Sequence, residues 1–137
     1  MQETLAGQDA SHSAARLAEA SDRFFVTKNF QLVSGEVLPE LTIAYITLGK
    51  LDVAGRNAIL MTHGYTSSHR LLKEDESEAS EGGYNLLVGP GRPVDTDRYF
   101  VVSSNMLGSS FGSTGPASIN PENGKPYGPS FPAISIE

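Results

Sequence analysis

The sequence predicts an α/β fold in which an antiparallel leading hairpin is followed by parallel core strands. Three observations carry this. Two runs rich in aromatic and β-branched residues, 24–33 and 41–48, flank a Ser34-Gly35 turn signal and Pro39. Two short and nearly continuous apolar runs, 57–62 and 99–104, are bounded by turn residues, the pattern of strands buried on both faces of a parallel sheet. About 35 residues separate those runs, enough for a right-handed helical crossover between parallel strands.

Residues 1–22 are polar and rich in Ala and Ser, with Glu3, Asp9, Glu19 and Asp22 scattered among them. They match neither a secretory signal, which needs a cationic start and an apolar stretch, nor an acid-poor transit peptide. A flexible N-terminal tail is expected, with a helical turn or two near 14–20, and a cytoplasmic location. The domain itself is expected over 23–137. In its first strand Phe30 and Leu32 share a face opposite Gln31. In its second, Leu41, Ile43 and Tyr45 alternate with Thr42 and Ala44. Gly49 and Gly55 bracket the loop before residues 57–62.

Within the crossover, residues 70–81 hold Glu74, Asp75, Glu76, Glu78 and Glu81 against only Arg70 and Lys73. No calcium-loop spacing with a central Gly appears, so a solvated helix or loop is expected and no metal site. Gly89-Pro90-Gly91 is a turn feeding the next strand, because a dinucleotide loop would need a third Gly and a helix start where Pro93 stands. Asp95 and Asp97 are turn-forming acids ahead of that strand. From 105 to 132, 18 of 28 residues are Gly, Pro, Ser or Asn, with no helical or alternating period. A loop that long is uncommon in a compact domain and tends to be functional or to pack on something else. Phe111, Ile119, Tyr127 and Phe131 give it apolar anchors.

Composition narrows the function classes. With 16 acidic against 10 basic residues and a net charge of −6, the chain lacks the positive field that binding nucleic-acid phosphates requires. The absence of cysteine excludes disulfides, thiolate metal sites and cysteine nucleophiles. No apolar run approaches the roughly 20 residues of a membrane-spanning helix.

Two segments could carry chemistry. His63-Gly64-Tyr65-Thr66 follows the apolar run 57–62, and active sites of parallel sheets lie at the carboxyl ends of their strands. Gly64 would let the backbone turn sharply and aim an N–H into a cleft, the usual second donor of an oxyanion hole in sheet-based acyl transfer. His63 reads first as a hydrogen-bonded structural residue and second as a base. A metal role for His63 with His69 finds no third ligand at a suitable spacing. Gly108-Ser109-Ser110-Phe111-Gly112 matches Gly-x-Ser-x-Gly, but the motif has meaning only on a strand–turn–helix. Here Ser113-Thr114-Gly115-Pro116 follows, which cannot start a helix at once, so Ser110 reads as a decoy.

Taken together, the residues resemble the homoserine O-acetyltransferase branch of the α/β-hydrolase superfamily. The likeness is carried by Ser34-Gly35-Glu36-Val37-Leu38-Pro39-Glu40-Leu41, by Gly89-Pro90-Gly91 with Asp95-Thr96-Asp97-Arg98-Tyr99-Phe100, by Ser104-Asn105-Met106-Leu107-Gly108, by residues 112–121, and by Gly124-Lys125-Pro126-Tyr127-Gly128-Pro129 with Phe131-Pro132. It implies the N-terminal half of an α/β-hydrolase fold, its sheet incomplete in this chain and continuing beyond Glu137 or in another chain. It implies acyl transfer by a Ser-His-Asp triad through an acyl-serine intermediate, with no cofactor. The backbone N–H of Tyr65 is the oxyanion donor carried over, supported by His63, Gly64 and Thr66. The nucleophile, Asp and His would come later in the family's order, so this chain alone is expected to be inactive. The implied partners are a complementary C-terminal polypeptide bearing Ser, Asp and His, a small acyl donor (an acyl-CoA or an ester), and in the complete enzyme a homodimer.

Several positions depart from the family pattern: Gly82-Gly83-Tyr84-Asn85 where Gly-Trp-Trp-Asp is common, Gly64 for Ala, and Ser109-Ser110 for a Gly-Cys pair. A divergent esterase or other acyl hydrolase on the same scaffold is therefore an alternative. One from another class is a non-catalytic binding module using the loop 105–132. In the family's strand order the run 57–62 would pair on its outer side with a strand after the elbow. The isolated chain is accordingly expected to expose an apolar edge and to be poorly soluble or molten.

Overall fold

The computed structural model describes residues 21–73 and 87–135. The expected helical turns near 14–20 and the acidic stretch 74–81 lie outside them. The described residues fall into two compact units: one built from residues 21–22 and Ile46–Ser104, the other from Arg23–Tyr45 and residues 105–135.

The second unit holds the expected hairpin. Strand β1 (Arg23–Gln31) pairs antiparallel with β2 (Val37–Leu48), from Arg23↔Tyr45 to Gln31↔Val37. The Leu32 N–H donates to Glu36 O, and Gly35 takes φ +87°, a left-handed turn conformation that glycine adopts without steric cost. β2 starts four residues earlier than the sequence suggests, because it runs through Pro39. Pro39 has no N–H to give the ladder, and the residue opposite, Asn29, sits at φ +53° outside the register.

The loop 105–132 is not structureless. It contains a two-stranded hairpin, β7 (Ile119–Asn120) with β8 (Lys125–Pro126), and a 3₁₀ turn at Gly128–Ser130. It also has something to pack on. Tyr127 joins Leu32, Leu38 and Leu41 in a buried cluster flanked by Ile43, Leu107 and Phe131. The Tyr127 and Phe131 rings meet edge to face at 5.5 Å. Two hydroxyl side chains dock the loop on β2: Thr114 Oγ1 accepts from Thr42 N at 2.8 Å, and Ser113 Oγ accepts from Ala44 N at 3.1 Å.

In the first unit, the end of β2, β6 (Phe100–Ser104) and β3 (Ala58–Met61) are neighbours in that order. β3 and β6 are parallel, from Ala58↔Phe100 to Met61↔Ser103. The core is Ile46, Leu48, Leu71, Leu72, Val88 and Val101, with Met61, Val94 and Tyr99 against it. Strand β6 is buried on one face, with Val101 and Ser103 inside, and only half-buried on the other, at Phe100, Val102 and Ser104.

One expectation fails in this unit: neither β3 nor β6 is buried on both faces. In β3, Ala58 is exposed and Leu60 is 64% exposed, so the face they share is open among the described residues. Of the expected helical crossover, residues 74–86 lie outside the described residues, and the described part holds one 3₁₀ turn at His69–Leu72. A pair of two-residue parallel strands follows, β4 (Val88–Gly89) and β5 (Val94–Asp95). Gly89-Pro90-Gly91 forms the expected turn between them, closed by Gly91 N–H donating to Asp95 Oδ1. Asp95 also accepts from Asp97 N, and these backbone donors hold its carboxyl below the ordinary range, as suits a turn acid. At Gly49 (φ +75°) a Cβ would run into the carbonyl oxygens of Tyr99 and Thr96. Only glycine lets the two backbone segments come that close.

Candidate functional site

The candidate site is the loop leaving the carboxyl end of β3, and its position is set by the strand before it. Asn57 fixes where β3 begins. Its Nδ2 donates to Lys50 O at 2.8 Å and to Arg98 O at 3.1 Å, its Oδ1 accepts from Asp52 N, and its carbonyl accepts from Phe100 N. Four residues of parallel pairing then carry the chain to Met61, and 62–64 leave the sheet.

A β-turn follows, closed by Ser67 N–H donating to Gly64 O at 3.1 Å, with Tyr65 and Thr66 at its corners. Tyr65 is 97% exposed, and its backbone N–H makes no hydrogen bond among the described residues. An N–H held at a turn corner without an internal acceptor is available to a developing negative charge. Thr66 is exposed beside it. His63 is half-buried, its Nδ1 2.9 Å from Gly64 O, the local hydrogen bonding expected of a structural histidine. The backbone does not call on glycine's freedom at Gly64: its φ is not positive, and a Cβ there would meet nothing within 4 Å. The turn is made by the Gly64–Ser67 hydrogen bond, so an alanine would fit at that position.

Beyond the turn the chain is buried at once. Ser67, Ser68 and His69 are buried, and Ser68 caps the 3₁₀ turn by accepting from Arg70 N at 3.2 Å. His69 Nε2 lies 3.2 Å from Asp22 Oδ1, Lys73 Nζ reaches the same oxygen at 3.0 Å, and Arg70 donates to Asp22 Oδ2 at 2.6 Å. Burial alone would raise the Asp22 carboxyl. The Arg70 and Lys73 bonds outweigh it and bring the group down to about 2. Burial lowers His69, which favours the neutral ring. The sequence reading left this cluster unassigned; its one signal was an acid at position 22 and three nitrogen side chains at 69, 70 and 73.

Ser110 lies elsewhere, in the second unit, on an exposed turn. Its carbonyl accepts from Asn105 Nδ2 and Ser109 Oγ, and Phe111 at φ +69° and Gly112 at φ +101° follow. No helix begins there, and β6 ends at Ser104, so the strand–turn–helix of a nucleophile elbow is missing around it. Among the described residues no helix is long and apolar enough to cross a membrane.

No family model matches the chain. Individual proteins do. The chain is 50% identical over 112 residues to a homoserine O-acetyltransferase of Pelobacter propionicus, covering 81% of this chain and 30% of that protein. It is 46% identical over 115 residues to a homoserine O-succinyltransferase of Hydrogenovibrio crunogenus, covering 84% and 30%. Among solved structures, the homoserine O-acetyltransferase of Bacillus anthracis superposes with a TM-score of 0.73 at 26% identity, over 85% of this chain and 33% of that one. Esterase E22 superposes with a TM-score of 0.72 at 33% identity over the same shares. The fold is thus part of an α/β-hydrolase fold, a hairpin with parallel core strands. Within that class, the chain is a homologue of the homoserine O-acetyl- and O-succinyltransferases. It spans about 30% of the length of these curated relatives.

Proposed function

We propose that this chain is the N-terminal piece of a serine-dependent acyltransferase of the homoserine O-acyltransferase type and that it supplies one oxyanion donor, the backbone N–H of Tyr65. The observation that carries the reading is that N–H: exposed at a turn corner, at the carboxyl end of a parallel strand, with no acceptor among the described residues. The names of the relatives support homoserine as acyl acceptor and an acetyl or succinyl donor.

In this reading a complementary polypeptide brings Ser, His and Asp. Its His takes the serine proton as the oxygen attacks the acyl carbonyl. The Tyr65 N–H and a donor beside the nucleophile hold the oxyanion, and collapse expels the donor's leaving group with the proton returned by His. The acyl-serine then passes its acyl group to the hydroxyl of the acceptor by the same steps. His63, Gly64 and Thr66 shape the donor's loop and exchange no proton. The outer edge of β3, unpaired among the described residues, is where a strand of the complementary piece would pair.

Serine-directed fluorophosphonate labelling of the native material, read by intact mass, tests this. A second polypeptide or further sequence should carry the label, and Ser110→Ala should leave it unchanged. A label on Ser110, or none anywhere on folded native protein, overturns the reading. The likeness to esterase E22 favours a second reading, hydrolysis on the same scaffold, in which water takes the acyl group. Turnover of an acyl-CoA that depends on homoserine separates transfer from simple ester hydrolysis.

A further inference from the structure

Three consecutive features of the loop that follows Tyr65 converge on one carboxylate. His69 comes four residues after the proposed donor and two after Ser67, whose N–H closes the donor's turn. Its side chain is fully buried, with Nε2 3.2 Å from Asp22 Oδ1. Arg70 and Lys73 hold the same carboxylate at 2.6 and 3.0 Å. The 3₁₀ turn carrying these groups is only four residues long, too short to be stiff by itself. Leu71 and Leu72 fix it to the core on one side, and Asp22 fixes it on the other.

The imidazole is an expensive choice for a mere space-filler. A carboxylate at Nε2 selects the tautomer with the proton there, which leaves the Nδ1 lone pair buried with no partner among the described residues. A leucine would fill the volume without stranding an acceptor in the interior. What histidine provides and leucine does not is the Nε2–H donated to Asp22. The two residues lie 47 positions apart, so this bond anchors the far end of the donor's loop to a fixed point outside it.

We infer that His69 and Asp22 are positioning residues for the Tyr65 oxyanion donor. The buried Nε2–H···carboxylate bond holds the segment 67–69, and through the Gly64–Ser67 turn it holds the direction in which the Tyr65 N–H points. The inference rests on the oxyanion reading above and assigns that reading its support.

The test uses the native protein together with the polypeptide that carries its nucleophile. His69→Leu keeps the volume and loses the donor. His69→Gln places an amide N–H close to where Nε2 stands. Misplacing a catalytic group by about an ångström can cost on the order of a hundredfold, so His69→Leu should lower kcat about tenfold to a hundredfold with KM within about twofold. His69→Gln should recover most of the loss, although both variants lose some thermal stability. Equal losses of kcat in the two variants, or an unchanged kcat in a folded His69→Leu, would overturn the inference. Should His69→Leu fail to fold, Asp22→Ala, which removes the acceptor itself, is read the same way and should show the same split between kcat and KM. A wild-type protein that neither turns over nor takes the label refutes the oxyanion reading instead. The anchoring itself is then read by hydrogen exchange: His69→Leu should speed exchange at Ser67 N–H, and an unchanged rate refutes it.

Discussion

Replacing Asp22 by Asn removes a charge on which three nitrogen groups converge and leaves the side-chain shape intact. The free carboxyl titrates at 3.8, and in the folded protein at about 2. A gap of just under two pH units, at about 1.4 kcal/mol each, sets a ceiling of about 2.5 kcal/mol. Arg70 is 35% and Asp22 23% exposed, so solvent screens part of this and about 1–1.5 kcal/mol is expected near neutral pH. The sign follows from the direction of the shift. Because folding lowers this carboxyl's pKa, its contribution is complete above about pH 4 and fades as the pH falls towards 2. Urea denaturation of wild type and Asp22→Asn, near neutral pH and again near pH 2, measures both quantities. The two proteins should differ at neutral pH and converge in acid. A neutral-pH difference below about 0.3 kcal/mol, or one that persists unchanged near pH 2, would refute the argument.

Other substitutions separate backbone from side-chain roles. Tyr65→Pro suits the first corner of a turn but deletes the donor N–H, so it should cost about 2.7–4 kcal/mol of transition-state stabilisation in the complete enzyme, whereas Tyr65→Ala keeps the N–H and should lose far less; kcat/KM of the two variants decides it. Gly64→Ala should fold with unchanged or slightly higher stability, by up to about 1 kcal/mol in a thermal melt, because the site is open and its φ is not positive. Tyr127→Phe should be neutral or stabilising by about 1 kcal/mol in denaturant titration, because the Tyr127 hydroxyl is buried without a partner among the described residues.

The parts legible in the sequence were those whose signals are local. Ser34-Gly35 between two β-rich runs marked the hairpin, and the apolar runs at 57–62 and 99–104 marked the parallel pair β3 and β6. The loop at His63–Thr66 could be placed at a strand's carboxyl end for the same reason. An apolar run reports that a strand could be buried, not what packs on each of its faces, so the exposure of Leu60 was not visible. Nor was the packing of residues 105–132. Its hydroxyl contacts with β2 span 69 and 72 positions and leave no period in the chain. Asp22 was hidden in the same way, since its role depends on side chains 47 and 48 positions away.

The docking of the 105–132 loop on β2 has a consequence for how this region resists solvent and other chains. Thr42 and Ala44 turn their amides away from β1, and among the described residues no strand lies opposite them there. Their N–H groups donate to the hydroxyls of Thr114 and Ser113, while their carbonyls accept from Thr114 N and Asn105 N. Four backbone groups are thus satisfied by a segment with no extended conformation to offer an incoming β-strand. Side-chain oxygens close this stretch of edge in a form that cannot be templated further. Amide exchange at Thr42 and Ala44 should therefore be as slow as within a ladder. Uncontrolled strand addition would have to start elsewhere, at the outer edges that β1 and β3 leave unpaired among the described residues.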